Sequence, residues 1–263
     1  MIVIGERING MFKMVRKGIQ EKDKKIIQDI AKKQVEAGAR ILDVNVGPAA
    51  ADDVAAMQWL VETIQEVTDT PLSIDSAKPP VIEAGLKACK KKALINSTTG
   101  EQAKLETLVG LAKKYNAGLL GLCMDEKGIP DNIQARVEIG LRILACAMEA
   151  GIPTDDIHLD PVVLPVKFGQ AQTPMMFQTI RELKTLSDPA PKTVVGLSNV
   201  SQGCLDRPMV NRIALVMAIA NGLDEAIVDP MDKDLMNSMI TAELLLNKFI
   251  YCDSYLTAYM KAL

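Results

Sequence analysis

The chain has 263 residues, 48% hydrophobic and 24% charged, with a formal net charge of −3. These are the proportions of an ordinary soluble globular protein, and the bases are interleaved with acids, which excludes the clustered basic face that nucleic acid requires. Aromatic residues make up only 3%, so the core has to be built from Ile, Leu, Val, Ala and Met.

The opening Met1-Ile2-Val3-Ile4-Gly5-Glu6-Arg7 is too short and charged too early for a secretory signal. Ile2-Val3-Ile4 reads as a first strand, ending in Glu6, Arg7 and Asn9. On the helix that follows, Ile26, Ile27, Ile30, Ala31 and Val35 share a face, and Gly38 supplies a left-handed cap. Ile41-Leu42-Asp43-Val44 is the second strand, with Asp43 and Asn45 at its end. Leu72-Ser73-Ile74 is the third and ends in Asp75; Pro79 and Pro80 then suit the first turn of a helix. Lys90 to Lys92 lie where that helix stops and complement its dipole.

Ala93-Leu94-Ile95 is the fourth strand, closing on Asn96, and Gly118 reads as a helix cap before the fifth strand, Leu119 to Leu122. The next helix places Ile133, Val137, Leu141, Leu144 and Met148 on one face, with Gly151 capping it before Pro153. Ile157-His158-Leu159 is the sixth strand and ends in Asp160; Thr193 to Leu197 is the seventh and leads into Ser198 and Asn199. Ala226-Ile227-Val228 is the eighth, reaching Asp229. The stretch from Phe249 to Leu263 lies beyond the eighth helix and reads as a closing helix or packing arm.

Short β-branched runs of this kind are strands buried on both faces. Eight of them alternating with eight helices, over a length near the ~250 residues typical of one barrel, predict an α/β fold: a single (β/α)8 TIM barrel spanning residues 1–263 as one domain. An open doubly wound sheet alternates in the same way, but usually carries a GxGxxG loop after its first strand, which is absent here. No apolar stretch of ~18 residues suits a membrane span. Cys89, Cys123, Cys146, Cys204 and Cys252 form no CxxC pair, which leaves no disulfide, zinc or iron–sulfur pattern and suits a reduced cytoplasm.

In such barrels the reacting groups gather at the C-terminal ends of the strands. Here those ends supply Glu6, Asp43, Asp75, Asp160 and Asp229 together with Asn45, Asn96, Ser198 and Asn199. A carboxylate accepts paired hydrogen bonds from a ring N–H and an exocyclic amine, and a carboxamide offers one donor and one acceptor. The combination suits a planar heterocycle such as a pterin or purine. A magnesium cage would want mainly charged oxygens, and so many carboxamides dilute it; no metal is expected. His158, two positions before Asp160 on its strand, reads as a packed core residue. No strand end offers a general acid expected to titrate near neutral pH.

Six segments in order carry a resemblance: Gly5-Glu6-Arg7-Ile8-Asn9-Gly10, Leu42-Asp43-Val44-Asn45-Val46-Gly47-Pro48, Ile74-Asp75-Ser76, Ile95-Asn96-Ser97-Thr98, Leu159-Asp160-Pro161 and Gly196-Leu197-Ser198-Asn199-Val200-Ser201. Over essentially its whole length the chain resembles the folate-dependent corrinoid methyltransferases, in particular the methyltetrahydrofolate:corrinoid/iron–sulfur protein methyltransferases of the acetyl-CoA pathway. The resemblance implies a pterin-binding barrel in which Asp75, Asn96 and Asp160 hold the pterin, with Gly196, Ser198 and Gln202 beside them. It implies that Asn199 is catalytic and approaches the methyl-bearing nitrogen. Glu6, Asp43, Asn45 and Arg207 are further candidates.

Methyltetrahydrofolate would then be a substrate, and no cofactor would be held permanently. With neither a DxHxxG corrinoid signature nor iron–sulfur ligands in the chain, the corrinoid (cobalamin) would come on a partner, a corrinoid/iron–sulfur protein docking over the mouth. A homodimer is implied as well. Plainer readings stand beside these: Asp75 as a helix cap, Asn9-Gly10 as a tight turn, Asp160-Pro161 as a strand terminator. Dihydropteroate synthases share the barrel and the pterin but carry basic residues near the last strand, whereas Ile227-Val228-Asp229-Pro230-Met231-Asp232 has no Arg or His. The folate module of methionine synthase and a non-catalytic folate-binding barrel also compete with the methyltransferase reading.

Overall fold

In the computed structural model, which describes residues 1–262, eight parallel strands close into a barrel in chain order. They are β1 (Ile2–Asn9), β2 (Ile41–Asn45), β3 (Leu72–Asp75), β4 (Leu94–Thr99), β5 (Gly118–Leu122), β6 (Ile157–Asp160), β7 (Lys192–Gly196) and β8 (Glu225–Val228). The last strand returns to the first, pairing Ile2 with Glu225 and Gly5 with Val228. This is the (β/α)8 architecture expected from the alternation of short apolar runs with helices.

The helices are α1 (Lys13–Glu21), α2 (Lys24–Glu36), α3 (Asp53–Gln65), α4 (Pro79–Ala88), α5 (Gln102–Tyr115), α6 (Ile133–Glu149), α7 (Val166–Gly169), α8 (Gln172–Leu183), α9 (Arg207–Ala220), α10 (Lys233–Leu245) and α11 (Tyr255–Ala262). Eight of these, α2 to α6 and α8 to α10, form the outer ring. Of the other three, α1 and α7 were not expected. In α1 the buried side is only Val15, Gly18 and Ile19, too short a stripe to stand out, and α7 has four residues. The expected closing element is α11, whose Leu256, Tyr259 and Met260 pack against the core; Leu263 lies outside the described residues.

Two local expectations are corrected. The left-handed residue that closes α5 is Asn116, at φ 50, and Gly118 is already the first residue of β5. On α6, Leu141 and Met148 are exposed, and the buried stripe is Arg136, Ile139, Gly140, Ile143, Leu144 and Ala147. Two interleaved apolar stripes at helical spacing made that face ambiguous. The small Gly140 settles it, because a Cβ there would meet Leu183 Cδ2 at 2.6 Å. Gly38 and Gly151 do sit at positive φ after α2 and α6, as left-handed caps require.

Most apolar burial lies between the sheet and the ring of helices. Inside the barrel Ile4, Leu94, Leu120 and Val194 form a separate small cluster. Alternation along each strand stacks polar residues on either side of it. Below are Lys192, His158 and Glu225, near the N-terminal ends of their strands; above are Glu6, Asn96, Asp160 and Gly196, toward the C-terminal ends. The barrel therefore has a polar floor, an apolar middle and a polar mouth.

Candidate functional site

The mouth encloses a cavity of about 540 Å³. Of the side chains expected from the sequence, Glu6, Asp43, Asp75, Asn96, Asp160, Ser198, Asn199 and Arg207 line it, together with Gly196. Asn45 and Gln202 do not. Asn45 stands behind Asp75, donating to its Oδ2 at 2.5 Å, while its own Oδ1 accepts from Gly47 N–H at 2.6 Å. Gln202 is exposed in the turn after β7, tied only by its backbone N–H to the Asn199 carbonyl at 3.1 Å.

Two irregularities in the sheet shape this lining. Between Gly5 and Ile8 the pairing of β1 with β2 gains a residue, and between Asn96 and Thr98 the pairing of β4 with β5 does the same. A bulge re-aims the side chains at its site, so consecutive residues, Glu6 with Arg7 and Asn96 with Ser97, all reach the cavity. Gly10, just beyond β1, lets the first loop close over the second: a Cβ there would lie 1.9 Å from the Val46 carbonyl oxygen.

The acids sit in a chain of neutral donors. Asp43 Oδ1 accepts from Ser73 Oγ at 2.7 Å and from Asn96 Nδ2 at 3.0 Å. Asp160 Oδ1 accepts from the Val162 N–H at 2.7 Å, and the Gly196 N–H donates to the same carboxylate. The Ser198 hydroxyl lies 2.8 and 2.9 Å from the two Glu6 oxygens. Arg207 donates to the Ser198 carbonyl at 3.0 Å and to Ser201 Oγ at 3.1 Å, holding the turn that carries Asn199. Arg7 stacks over Phe12 at 4.2 Å and stands 3.5 Å from Asp229.

Burial dominates the electrostatics. Loss of water pushes Asp160 up to about 7, against the lowering pull of its two backbone donors and of Arg136. It pushes Asp43 up to about 8, helped by the charge of Asp75 and opposed by Ser73 and Asn96. Glu6 and Asp75 are raised for the same first reason. This corrects the expectation that no strand end holds a proton near neutrality. Desolvation inside the mouth is a property of the closed barrel and leaves no mark in local sequence.

Several plainer readings are also decided. Asp75 does not cap α4, whose N-cap is Lys78 with no side-chain bond. Asn9 does form a turn, its Oδ1 accepting from Met11 N–H at 2.9 Å, and it lines the cavity too. His158 is packed in the floor, with Nδ1 2.7 Å from Glu225 Oε2. Among the described residues, no three His, Cys, Asp or Glu side chains converge as a metal site. Reading strand ends missed Phe12, Asn211 and Asp232, which enter from the loops and helices above the strands. Asn211 Oδ1 is buried without a hydrogen-bond partner among the described residues. Its signal was the spacing from Arg207, four residues earlier on the first turns of α9. Grooves of about 470 and 450 Å³ on the helical flanks bring together no comparable set of acids and amides.

The pterin binding enzyme family matches residues 11–229. A methylcorrinoid:tetrahydrofolate methyltransferase of Eubacterium limosum is 31% identical over 98% of this chain and 96% of its own length. A methionine synthase of Mycobacterium leprae is 30% identical over 87% of this chain, which spans 20% of that larger protein. A dihydropteroate synthase of Yersinia pestis, solved with a pterine–sulfa conjugate, superposes with a TM-score of 0.70 at 18% identity over 94% of each chain. The dihydropteroate synthase of Thermus thermophilus gives 0.68 at 18% identity over 94% of each; at that identity the likeness is one of fold. The chain belongs to the pterin-binding enzyme family.

Proposed function

We propose that this pterin-binding barrel, acting as a single domain, moves a methyl group between the N5 nitrogen of tetrahydrofolate and the cobalt of a corrinoid carried by a partner protein. One observation carries the reading: Asp75, Asn96, Asp160 and Asn199, from β3, β4, β6 and the turn after β7, line one cavity of about 540 Å³, a size suited to a small-molecule ring. Asp75 and Asp160 accept from the pterin's N–H and amine groups, and Asn96 matches its remaining donor and acceptor edge.

In the folate-to-corrinoid direction the carbon–nitrogen bond breaks, the methyl carbon passes to cobalt(I), and the bonding pair stays on nitrogen, which takes a proton. Asn199 donates a hydrogen bond to that nitrogen, and the bond strengthens as charge develops. Asp43 and Asp160, pushed up to about 8 and about 7 by burial, are the groups fitted to supply or accept the proton near neutral pH, and burial raises Glu6 in the same direction. The reverse direction uses the same groups with the proton running the other way, and the name of the Eubacterium limosum relative describes transfer in that sense.

Exposed Met11, Phe168, Leu205 and Met231 stand on the βα connections around the mouth, an apolar rim suited to a docked partner. We take that partner to be a corrinoid/iron–sulfur protein of the reductive acetyl-CoA pathway. The same reading places the protein in the cytoplasm as a homodimer. Its apolar contact face would be α9, where exposed Met209, Ile213 and Met217 recur every fourth residue beside Phe177.

The test mixes protein, methyltetrahydrofolate and anaerobically reduced corrinoid, free and on a corrinoid protein, and follows the corrinoid's visible spectrum. Conversion that needs both this protein and the folate is the expected result. No conversion in either direction, with folate still bound by calorimetry, overturns methyl transfer in favour of a binding or condensing role.

A further inference from the structure

Arg136, near the start of α6, is fully buried, yet among the described residues no carboxylate lies within ion-pairing distance of it. Its donors go to neutral acceptors. Nε bonds the Pro130 carbonyl at 3.0 Å, Nη1 the carbonyls of Pro161 and Val162 at 3.0 and 3.3 Å, and Nη2 the Gln172 amide oxygen. One guanidinium thus ties the loop after β5, the loop after β6 and the start of α8. A buried cation without a counter-ion is costly, and nothing in methyl transfer as derived above uses it.

The loop it grips is strained. Val162 stands at φ 67, a left-handed conformation in which a β-branched residue is a genuine outlier. In that conformation its N–H donates to Asp160 Oδ1 at 2.7 Å, while its carbonyl is one of the two that Arg136 holds. Left to itself, Val162 would relax toward negative φ, and its N–H would turn away from Asp160.

We propose that Arg136 is a positioning residue: it clamps the Pro161–Val162 turn in its strained form and so aims the Asp160 carboxylate into the cavity. Its charge acts on Asp160 in the same sense, favouring the ionised carboxylate that accepts hydrogen bonds. The role of Asp160 toward folate rests on the pterin reading above; the clamp on Asp160 does not.

Two readouts keep those claims apart. In the ligand-free protein, carbon-13 NMR of Asp160 should show a titration about one pH unit higher in Arg136→Gln than in the parent, a tenfold change in proton affinity. In the same variant folate should dissociate about tenfold more readily at pH 7, and the deficit should widen at lower pH. Val162→Gly supplies the second arm, because glycine holds a positive φ without strain. Added to Arg136→Gln, it should recover about fivefold or more of the lost affinity. Should Arg136→Gln fail to fold, Arg136→Lys, which keeps the charge but reaches fewer carbonyls, takes its place in the cycle with the same recovery expected.

A merely structural arginine would lower the melting temperature and leave the Asp160 titration where it was. That result overturns the clamp, as does a Val162→Gly change that adds to the damage instead of relieving it. If the parent protein binds no folate, the pterin reading falls, and the Asp160 titration still decides the clamp.

Discussion

Both ends of this barrel bury acids, and they treat them differently. At the floor, Glu225 is fully buried against His158, 2.7 Å away, with Lys192 Nζ at 3.9 Å. At the mouth, Asp43, Asp75 and Asp160 are approached by a hydroxyl, two carboxamides and backbone N–H groups, and among the described residues no Lys or Arg forms an ion pair with them. The apolar layer of Ile4, Leu94, Leu120 and Val194 separates the two. The floor acid has a direct imidazole partner and a lysine nearby, although its Oε1 has no hydrogen bond among the described residues. Neutral dipoles alone, by contrast, leave a buried acid costly to ionise and receptive to further donors. The floor pairs its acid with basic side chains of the fold, and the mouth leaves its acids to neutral donors beside an open cavity.

The largest effect that would break this contrast lies at the floor. His158→Leu removes the closest partner of Glu225 and leaves a buried acid exposed to no water; it should cost about 3–5 kcal/mol of unfolding free energy, read from the urea midpoint. Folate affinity of the protein that stays folded should not change. A loss of stability under about 1 kcal/mol would mean that Lys192 alone satisfies the floor, and the contrast would weaken.

At the mouth the corresponding change should spare stability and strike the reaction. Asn199 stands exposed on the lip, so Asn199→Ala should slow the transfer step by about 10²–10³ in single-turnover experiments while folate affinity stays near that of the parent. Transfer at the parent rate would remove Asn199 from the mechanism. Asp75→Ala should do the reverse, weakening folate binding by about 10–100-fold through lost charge-assisted hydrogen bonds; unchanged affinity would take Asp75 out of the pocket.

A smaller effect is the pH dependence of binding. On the pterin reading proposed above, the ring's donors would select the ionised form of Asp160, whose carboxyl burial pushes up to about 7. Affinity should therefore be flat above that value and fall by up to about tenfold per pH unit below it. A flat profile from pH 5 to 8 would mean that Asp160 is already ionised or makes no contact.

How much of this was legible in the sequence follows from the same contrast. The strands announced themselves as short runs buried on both faces, and the mouth acids as the polar residues that ended them. His158 was read correctly as packed, yet its partner Glu225 was missed, because it precedes the apolar run by which β8 was recognised. The sense in which Arg7 and Ser97 face the cavity depends on bulges that no local pattern encodes, since strict alternation would turn one residue of each pair outward. Gln202, named from the resemblance, sits outside the cavity lining. The raised acids were invisible for a different reason: each is flanked by ordinary residues, and its desolvation comes from strands tens of residues away.

The smallest change sharpens the comparison most. Asp43 is buried, and its carboxyl is pushed up to about 8 from an ordinary 3.8, first by desolvation and then by the charge of Asp75. Because the folded value is the higher one, folding takes up a proton between those two limits. The stability this provides is complete below about pH 4 and is lost as pH rises toward 8. Asp43→Asn keeps an oxygen to accept from Ser73 and Asn96 and removes the charge. The variant should lose less stability across this interval and at pH 8 should be more stable than the parent by about 1–2 kcal/mol, at the expense of activity. The matching change at the floor, Glu225→Gln, removes an acid already paired with His158 and should give no such gain. Equal gains at both ends would mean that the barrel interior penalises any buried carboxylate alike, and that neighbouring cations make no difference.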